Sequence, residues 1–175
     1  WLYVAVDCGC ALVRNSAAMR RAFSLVPPYL RDSSDVLPWF SEYTFEQTRP
    51  FRALKLWTAL RERGLAWYRD ALASDVHRAA ELARLVNASR DFELAAPVEL
   101  GIVAFRCVPR DICGDPPRID QLNSDLPRQI QLDGRMFLTG STMWGRPILR
   151  ACFVNFRTEN DAPARILDVI RDLVS

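Results

Sequence analysis

Apolar positions crowd the start of the chain: Trp1-Leu2-Tyr3-Val4-Ala5-Val6 predicts a strand, running on through Asp7-Cys8-Gly9-Cys10-Ala11-Leu12-Val13-Arg14. A strand of that composition needs neighbours on both faces, so much of its environment, and a missing N-terminal portion, is expected upstream of Trp1. Asn15 and Ser16 then offer N-caps for a short helix through Ala17, Met19, Arg20 and Ala22, ending near Phe23. Beyond it the period is lost. Neither a helix nor a central strand passes through Pro27-Pro28, and residues 26–47 follow no clean repeat. So long a connection is a lid, or an irregular loop stapled down by Tyr29, Trp39, Phe40, Tyr43 and Phe45; the pattern alone leaves both open.

A helical period returns at Thr48. Pro50 stands near a first turn, Leu54, Trp57 and Leu60 form a ridge widened by Ala53 and Leu56, and Gly64 sits where a helix ends. That helix is expected to be largely buried. A longer helix follows from about Leu65 to Ala88, with Tyr68, Leu72, Val76, Ala79, Ala83 and Val86 facing inward. Its charges, Arg69, Asp75, Arg78, Glu81 and Arg84, are expected mostly on the opposite face, with His77 solvated. From Asp91 the pattern turns strand-like, at Phe92–Ala95 and Glu99–Arg106. Pro109–Arg118 reads as a connector. Ile119, Leu122 and Leu126 predict a short helix ended by Pro127, and Asp133-Gly134 a hairpin turn between strands at 130–132 and 136–142. Trp144-Gly145 leads into a strand over Ile148–Asn155. Thr158–Asp161 resembles a capping box before a last amphipathic helix carrying Ala162, Ile166, Val169 and Leu173. Residues 91–175 thus predict an α+β domain with a mostly antiparallel sheet.

Composition narrows the classes of function. The 175 residues are 50% hydrophobic and 25% charged, ordinary globular material with a net charge of +2 and no basic block to follow a phosphate backbone. Nucleic acid is therefore not an expected partner. No apolar run reaches the roughly eighteen residues of a membrane span, so a soluble, cytoplasmic protein with no membrane partner is expected. The five cysteines (Cys8, Cys10, Cys107, Cys113, Cys152) and the lone His77 lack metal-ligand spacing, and the cysteines read as buried free thiols rather than a zinc site.

Four stretches, in order, resemble the group II pyridoxal-phosphate-dependent decarboxylases, the family of aromatic-L-amino-acid decarboxylase. They are Trp1-Leu2-Tyr3-Val4 with Asp7-Cys8-Gly9-Cys10; Ala22-Phe23-Ser24 with Pro28-Tyr29-Leu30; Arg49–Trp57; and Leu100–Arg106 with Leu149-Arg150-Ala151-Cys152. The third is the most specific. The resemblance implies an α/β protein, the C-terminal portion of a fold type I pyridoxal-phosphate enzyme. Residues 1–90 would end its cofactor-binding large domain, with a catalytic lid at about 26–47, and 91–175 would form the small α+β domain.

In that family the tryptophan matching Trp1 directly follows the lysine that binds pyridoxal 5′-phosphate. Trp1 would thus border the cofactor, while the lysine and most cofactor ligands would lie upstream. Either the chain is a fragment or its numbering restarts after the modified lysine; the second is preferred because the break falls beside that residue. Tyr29 matches the family's catalytic lid tyrosine, which reaches the active site of a neighbouring subunit. A phenol with a pKa of about 10 stays protonated at neutral pH and can protonate the substrate α-carbon once the carboxylate has left. Related aldehyde synthases carry phenylalanine there, so Tyr29 implies decarboxylation without oxidation. Val6 and Thr48 align with substrate-pocket positions. Threonine departs from the glycine of aromatic decarboxylases and the serine of histidine decarboxylases, and Pro50 departs from a more frequent second arginine. Neither pocket position supplies a cation for an acidic side chain, which favours an aromatic L-amino acid. The implied assembly is a homodimer with shared active sites. Arg150 reads first as a buried ion-pair partner and second as a distant contributor to the site. The competing readings are a non-catalytic dimerisation or binding module and an oxidative aldehyde synthase.

Overall fold

The computed structural model describes residues 3–5, 7–27 and 39–175. Among these, Val4 to Glu62 form a smaller unit, and Tyr3 with Arg63–Ser175 a larger one.

In the smaller unit the apolar opening makes no strand: its described residues have no regular structure, and 7–14 are exposed. β propensity expresses itself only against a pairing strand, and none lies beside this stretch among the described residues. Helix α1 (Ser16–Phe23) forms as its cap predicts, the Asn15 side chain accepting from the Ala18 backbone N–H at 2.9 Å. Arg20 and Arg21 complement the carbonyl end of the helix. A short 3₁₀ helix, Phe40–Tyr43, packs against α1. Its buried anchor is Glu42, paired with Arg20, while the aromatics expected to staple this segment, Trp39, Phe40 and Phe45, remain exposed.

Helix α2 (Arg52–Ala88) begins after Pro50 and is interrupted where expected, Gly64 taking φ 78 and ψ 156. That conformation is easy for glycine and costly for other residues. Before the break, Leu54 and Trp57 are 46% and 60% exposed, against the expectation of a buried helix. After it, the buried positions are Tyr68, Asp75, Arg78, Ala79, Leu82 and Val86. The inward face is rotated by one position at two points, Asp75 and Leu82 replacing Val76 and Ala83.

The larger unit continues with β1 (Phe92–Leu94), β2 (Ile102–Cys107), α3 (Pro116–Asp133), β3 (Thr139–Met143), β4 (Arg146–Cys152) and α4 (Ala162–Val174). The sheet is antiparallel in the order β1-β2-β4-β3, with Phe92 opposite Cys107, Val103 opposite Ala151 and Ser141 opposite Ile148. Its core joins Ala79, Leu82 and Val86 of α2 to Val103, Phe105 and Leu149 of the sheet, Leu126 and Ile130 of α3 and Ile170 of α4. Asn123 of α3 ties helix to sheet, accepting from the Cys107 N–H at 2.9 Å and donating to the Cys107 carbonyl at 2.8 Å.

Three expectations in this unit fail locally. Helix α3 does not stop at Pro127 but runs on to Asp133, so residues 130–132 are helical and Asp133-Gly134 is a helix end, Gly134 at φ 80 with its N–H on the Ile130 carbonyl. Pro127 is tolerated because its ring packs on β3, where a Cβ added to Gly140 would lie 2.9 Å from Pro127 Cγ. The hairpin is instead the next turn, Trp144 (φ 49) and Gly145 (φ 77) joining β3 to β4. Two positive φ values match the twist of paired strands. The capping box is not formed either: Asp161 caps α4 without a side-chain bond, and the Glu159 carboxylate accepts from Arg165 at 3.0 Å.

Candidate functional site

The described residues of the smaller unit enclose a cavity of about 810 Å³. Phe23, Val26 and Pro27, at the exit of α1, form one wall; Phe40, Phe45 and Thr48, on the returning segment, form another. Both flanks of the predicted lid therefore border one space. Ser41 and Thr44 add hydroxyls, and Glu42 is occupied by Arg20. The described lining residues include no lysine or arginine. The lining is thus mixed, aromatic rings supplying apolar surface beside hydroxyls, Glu42 and Gln47.

In the same unit Asp7 accepts from Arg52 Nε at 3.0 Å and Lys55 Nζ at 3.2 Å. The hydrogen bond from Arg52 is the main reason its carboxyl is held down to about 2, with its own backbone and Lys55 adding to the effect. Asp7 stays ionised and is no proton donor near neutrality. Lys55 is the only lysine of the sequence. A lysine that forms an imine must be desolvated and able to lose its proton. Lys55, 42% exposed and paired with the Asp7 carboxylate, is not desolvated. The described residues therefore do not fit as the covalent seat of an aldehyde cofactor.

The larger unit holds a second polar cluster, missed in the sequence. Asp75, 3% exposed, accepts from Arg78 Nη1 at 3.3 Å and from the Tyr3 hydroxyl, and Arg78 Nη2 donates to Asn160 at 3.2 Å. Burial first, then the bond to the Asp75 carboxylate, raises the Tyr3 phenol above its ordinary pKa. The signal was legible: Asp75 continues the stripe of Tyr68, Leu72, Ala79 and Val86, and Arg78 follows it at helical spacing.

Of the sequence-predicted site residues, Thr48 is exposed and lines the cavity, whereas Trp1, Val6 and Tyr29 lie outside the described residues. His77 is exposed, as expected. Arg150 is exposed too, so the buried ion-pair reading is corrected: it projects from β4 between the buried Leu149 and Ala151. The buried arginines with carboxylate partners are instead Arg78, paired with Asp75, and Arg106, 1% exposed and bonded to Asp120, with Nε 3.8 Å from Glu93. The cysteines are all free, but only Cys107 is buried; Cys8, Cys10, Cys113 and Cys152 are exposed. Burial, with a smaller contribution from Asp91, pushes the Cys107 thiol up to about 12. Among the described residues no group of three or more His, Cys, Asp or Glu could hold a metal ion.

By fold, the chain is an α/β protein of helices against an antiparallel sheet, and known proteins place that architecture. The pyridoxal-dependent decarboxylase conserved domain matches residues 1–108, and the chain belongs to that family. It is 30% identical over 99% of its length to an aromatic-L-amino-acid decarboxylase of Bacillus atrophaeus, covering 36% of that protein. To a phenylacetaldehyde synthase of a Rosa hybrid cultivar it is 28% identical over 98% of its length, covering 35%. Its fold matches the crystal structure of Oryza sativa TDC with PLP and tryptamine, with a TM-score of 0.80 at 23% identity over 92% of this chain and 34% of that one. The chain thus spans about a third of the length of the relatives it matches.

Proposed function

We propose that this chain is the C-terminal part of a pyridoxal-phosphate-dependent decarboxylase that converts an aromatic L-amino acid to its amine and carbon dioxide. The observation that carries the reading is the family match over residues 1–108. The cofactor, when bound, supplies an electron sink for the pair left by the departing carboxylate. Its lysine would come from immediately before Trp1, in the upstream part of the same enzyme, since Lys55 is engaged with Asp7. Residues 1–90 would close the large domain and 91–175 form the small one.

Within this chain the roles divide by chemistry. Phe23, Phe40 and Phe45 offer apolar walls to an aromatic side chain, with Thr48, and Val6 by resemblance, shaping that pocket. Tyr29 delivers the proton to the substrate α-carbon, its segment excluding water over the neighbouring subunit's site. A cytoplasmic homodimer follows from the same resemblance, and the exposed apolar residues Leu12, Leu25, Phe51 and Trp57 give such contacts surface to cover. The second reading, an oxidative aldehyde synthase, is favoured by the similarity to phenylacetaldehyde synthase. Assay of the full-length enzyme with L-tryptophan, L-tyrosine and L-phenylalanine separates the two. Amine and carbon dioxide without peroxide are expected, with Tyr29→Phe lowering amine output at least about a hundredfold or diverting it to aldehyde. Peroxide and aldehyde from the unaltered enzyme would establish the second reading, and no turnover of any aromatic amino acid would end the first.

A further inference from the structure

We infer that Tyr3, Asp75, Arg78 and Asn160 form an anchor that fixes the start of this chain on the larger unit, making Tyr3 a positioning residue for whatever precedes Trp1. The consequence for catalysis rests on the proposed function, which puts the reactive lysine immediately before Trp1. Three independent observations meet at Tyr3. The first is its partner. Asp75 lies in the middle of α2 with almost no access to water, and a buried carboxylate persists only when paired. One of its oxygens takes Arg78 Nη1 at 3.3 Å and the other takes the Tyr3 hydroxyl. Arg78 then reaches Asn160, just before α4, at 3.2 Å. Segments 72 and 82 residues apart in sequence are thereby joined through one helix turn.

The second observation is the socket around the ring. Tyr3 meets Trp67 and Phe156 edge to face, with centroids 5.7 Å and 5.6 Å away, and Trp67 and Phe156 are 5.3 Å from each other. The Arg63 guanidinium covers Trp67 at 4.6 Å and Phe156 at 5.2 Å. Third, Tyr3 has a φ of 50, a left-handed conformation that a bulky residue keeps only where its surroundings hold it. Hydroxyl, ring and backbone are each constrained, and Val4 already belongs to the other unit. In the sequence the residue preceding Trp1 stands three positions from Tyr3, a reach of at most about 11 Å along an extended chain. Displacement of a reacting group by about 1 Å is enough to cost a hundredfold in rate.

The test is Tyr3→Phe in the full-length holoenzyme, which keeps the ring in its socket and removes only the hydroxyl. Amide hydrogen exchange in the peptide covering residues 1–5 is expected to rise about tenfold or more. In the same protein kcat should fall about tenfold to a hundredfold while KM stays within about twofold, because placement rather than substrate binding is disturbed. Asn160→Ala, which loosens the far end of the network, should reproduce both changes more weakly and serves if Tyr3→Phe fails to fold. Ile166→Val, a core change in the same unit, should lower Tm and leave both readouts alone. Unchanged exchange at residues 1–5, or the same changes in Ile166→Val, would overturn the anchor. Absence of decarboxylation in the unaltered enzyme would instead remove the proposed function, while exchange would still decide the anchor.

Discussion

The two units of this chain use apolar residues in opposite ways. In the larger one Val103, Phe105, Leu126, Ile130, Leu149 and Ile170 are fully buried, and among the described residues the buried side-chain nitrogens and oxygens without a hydrogen-bond partner are one nitrogen of Arg78 and two of Arg106. In the smaller one Leu12, Leu25, Phe45 and Phe51 are 73% to 96% exposed, and the one buried residue among those described is a glutamate. The difference teaches where stability resides. Four strands and three helices close a core within the larger unit, whereas one short helix and a 3₁₀ turn have too little surface to close one. The same hydrophobic pattern therefore yields a core in one region and an exposed cavity rim in the other.

Truncation should expose that contrast most strongly. Phe105→Ala removes a ring from the centre of the larger core and should cost about 3–5 kcal/mol in chemical denaturation, whereas Phe45→Ala, at an exposed position of the smaller unit, should stay within about 0.5 kcal/mol. Equal losses would erase the distinction between the units. A smaller effect is expected at the contact of α3 with β3. Gly140→Ala drives a methyl against Pro127, at a cost of about 1–3 kcal/mol, and Pro127→Ala in the same background should recover part of it. Strict additivity of the two changes, measured by denaturation, would mean that helix and strand accommodate the methyl without touching.

The smallest effect belongs to Asp7 and is a dependence on pH. Its folded pKa, about 2, lies below the unfolded value of 3.8, so its pairing with Arg52 and Lys55 contributes fully above pH 4 and is lost as pH falls towards 2. Being solvent-exposed, that contribution should shrink in salt. NMR titration of the Asp7 carboxyl checks both statements, and an ordinary carboxylate midpoint in low salt would dissolve the pair.

Much was legible in the sequence because it is local. The Asn15 cap, the break at Gly64, the strands at Phe92 and Val103 and the final amphipathic helix each follow from a few neighbouring residues and form where they are read. The family was legible too, through motifs in register. What failed depended on partners distant in sequence. Pro127 ends a helix in isolation, but here its ring packs beside Gly140 and α3 continues. Asp133-Gly134 carries a hairpin signal, yet serves as the end of that longer helix.

Charges show the same boundary between local and tertiary information. By their chemistry Asp75, Arg78 and Arg106 belong outside, and they are inside because Tyr3, Asn160 and Asp120 arrive from elsewhere to pair with them. Arg150 stands among apolar neighbours, yet strand alternation carries it outward. The sequence by itself therefore determined the family, the helices and strands that caps and periods write locally, and the chemical types available for a site. Tertiary structure alone decided which apolar residues become core and which charges are buried, because burial depends on what lies opposite a residue rather than on what lies beside it in the chain.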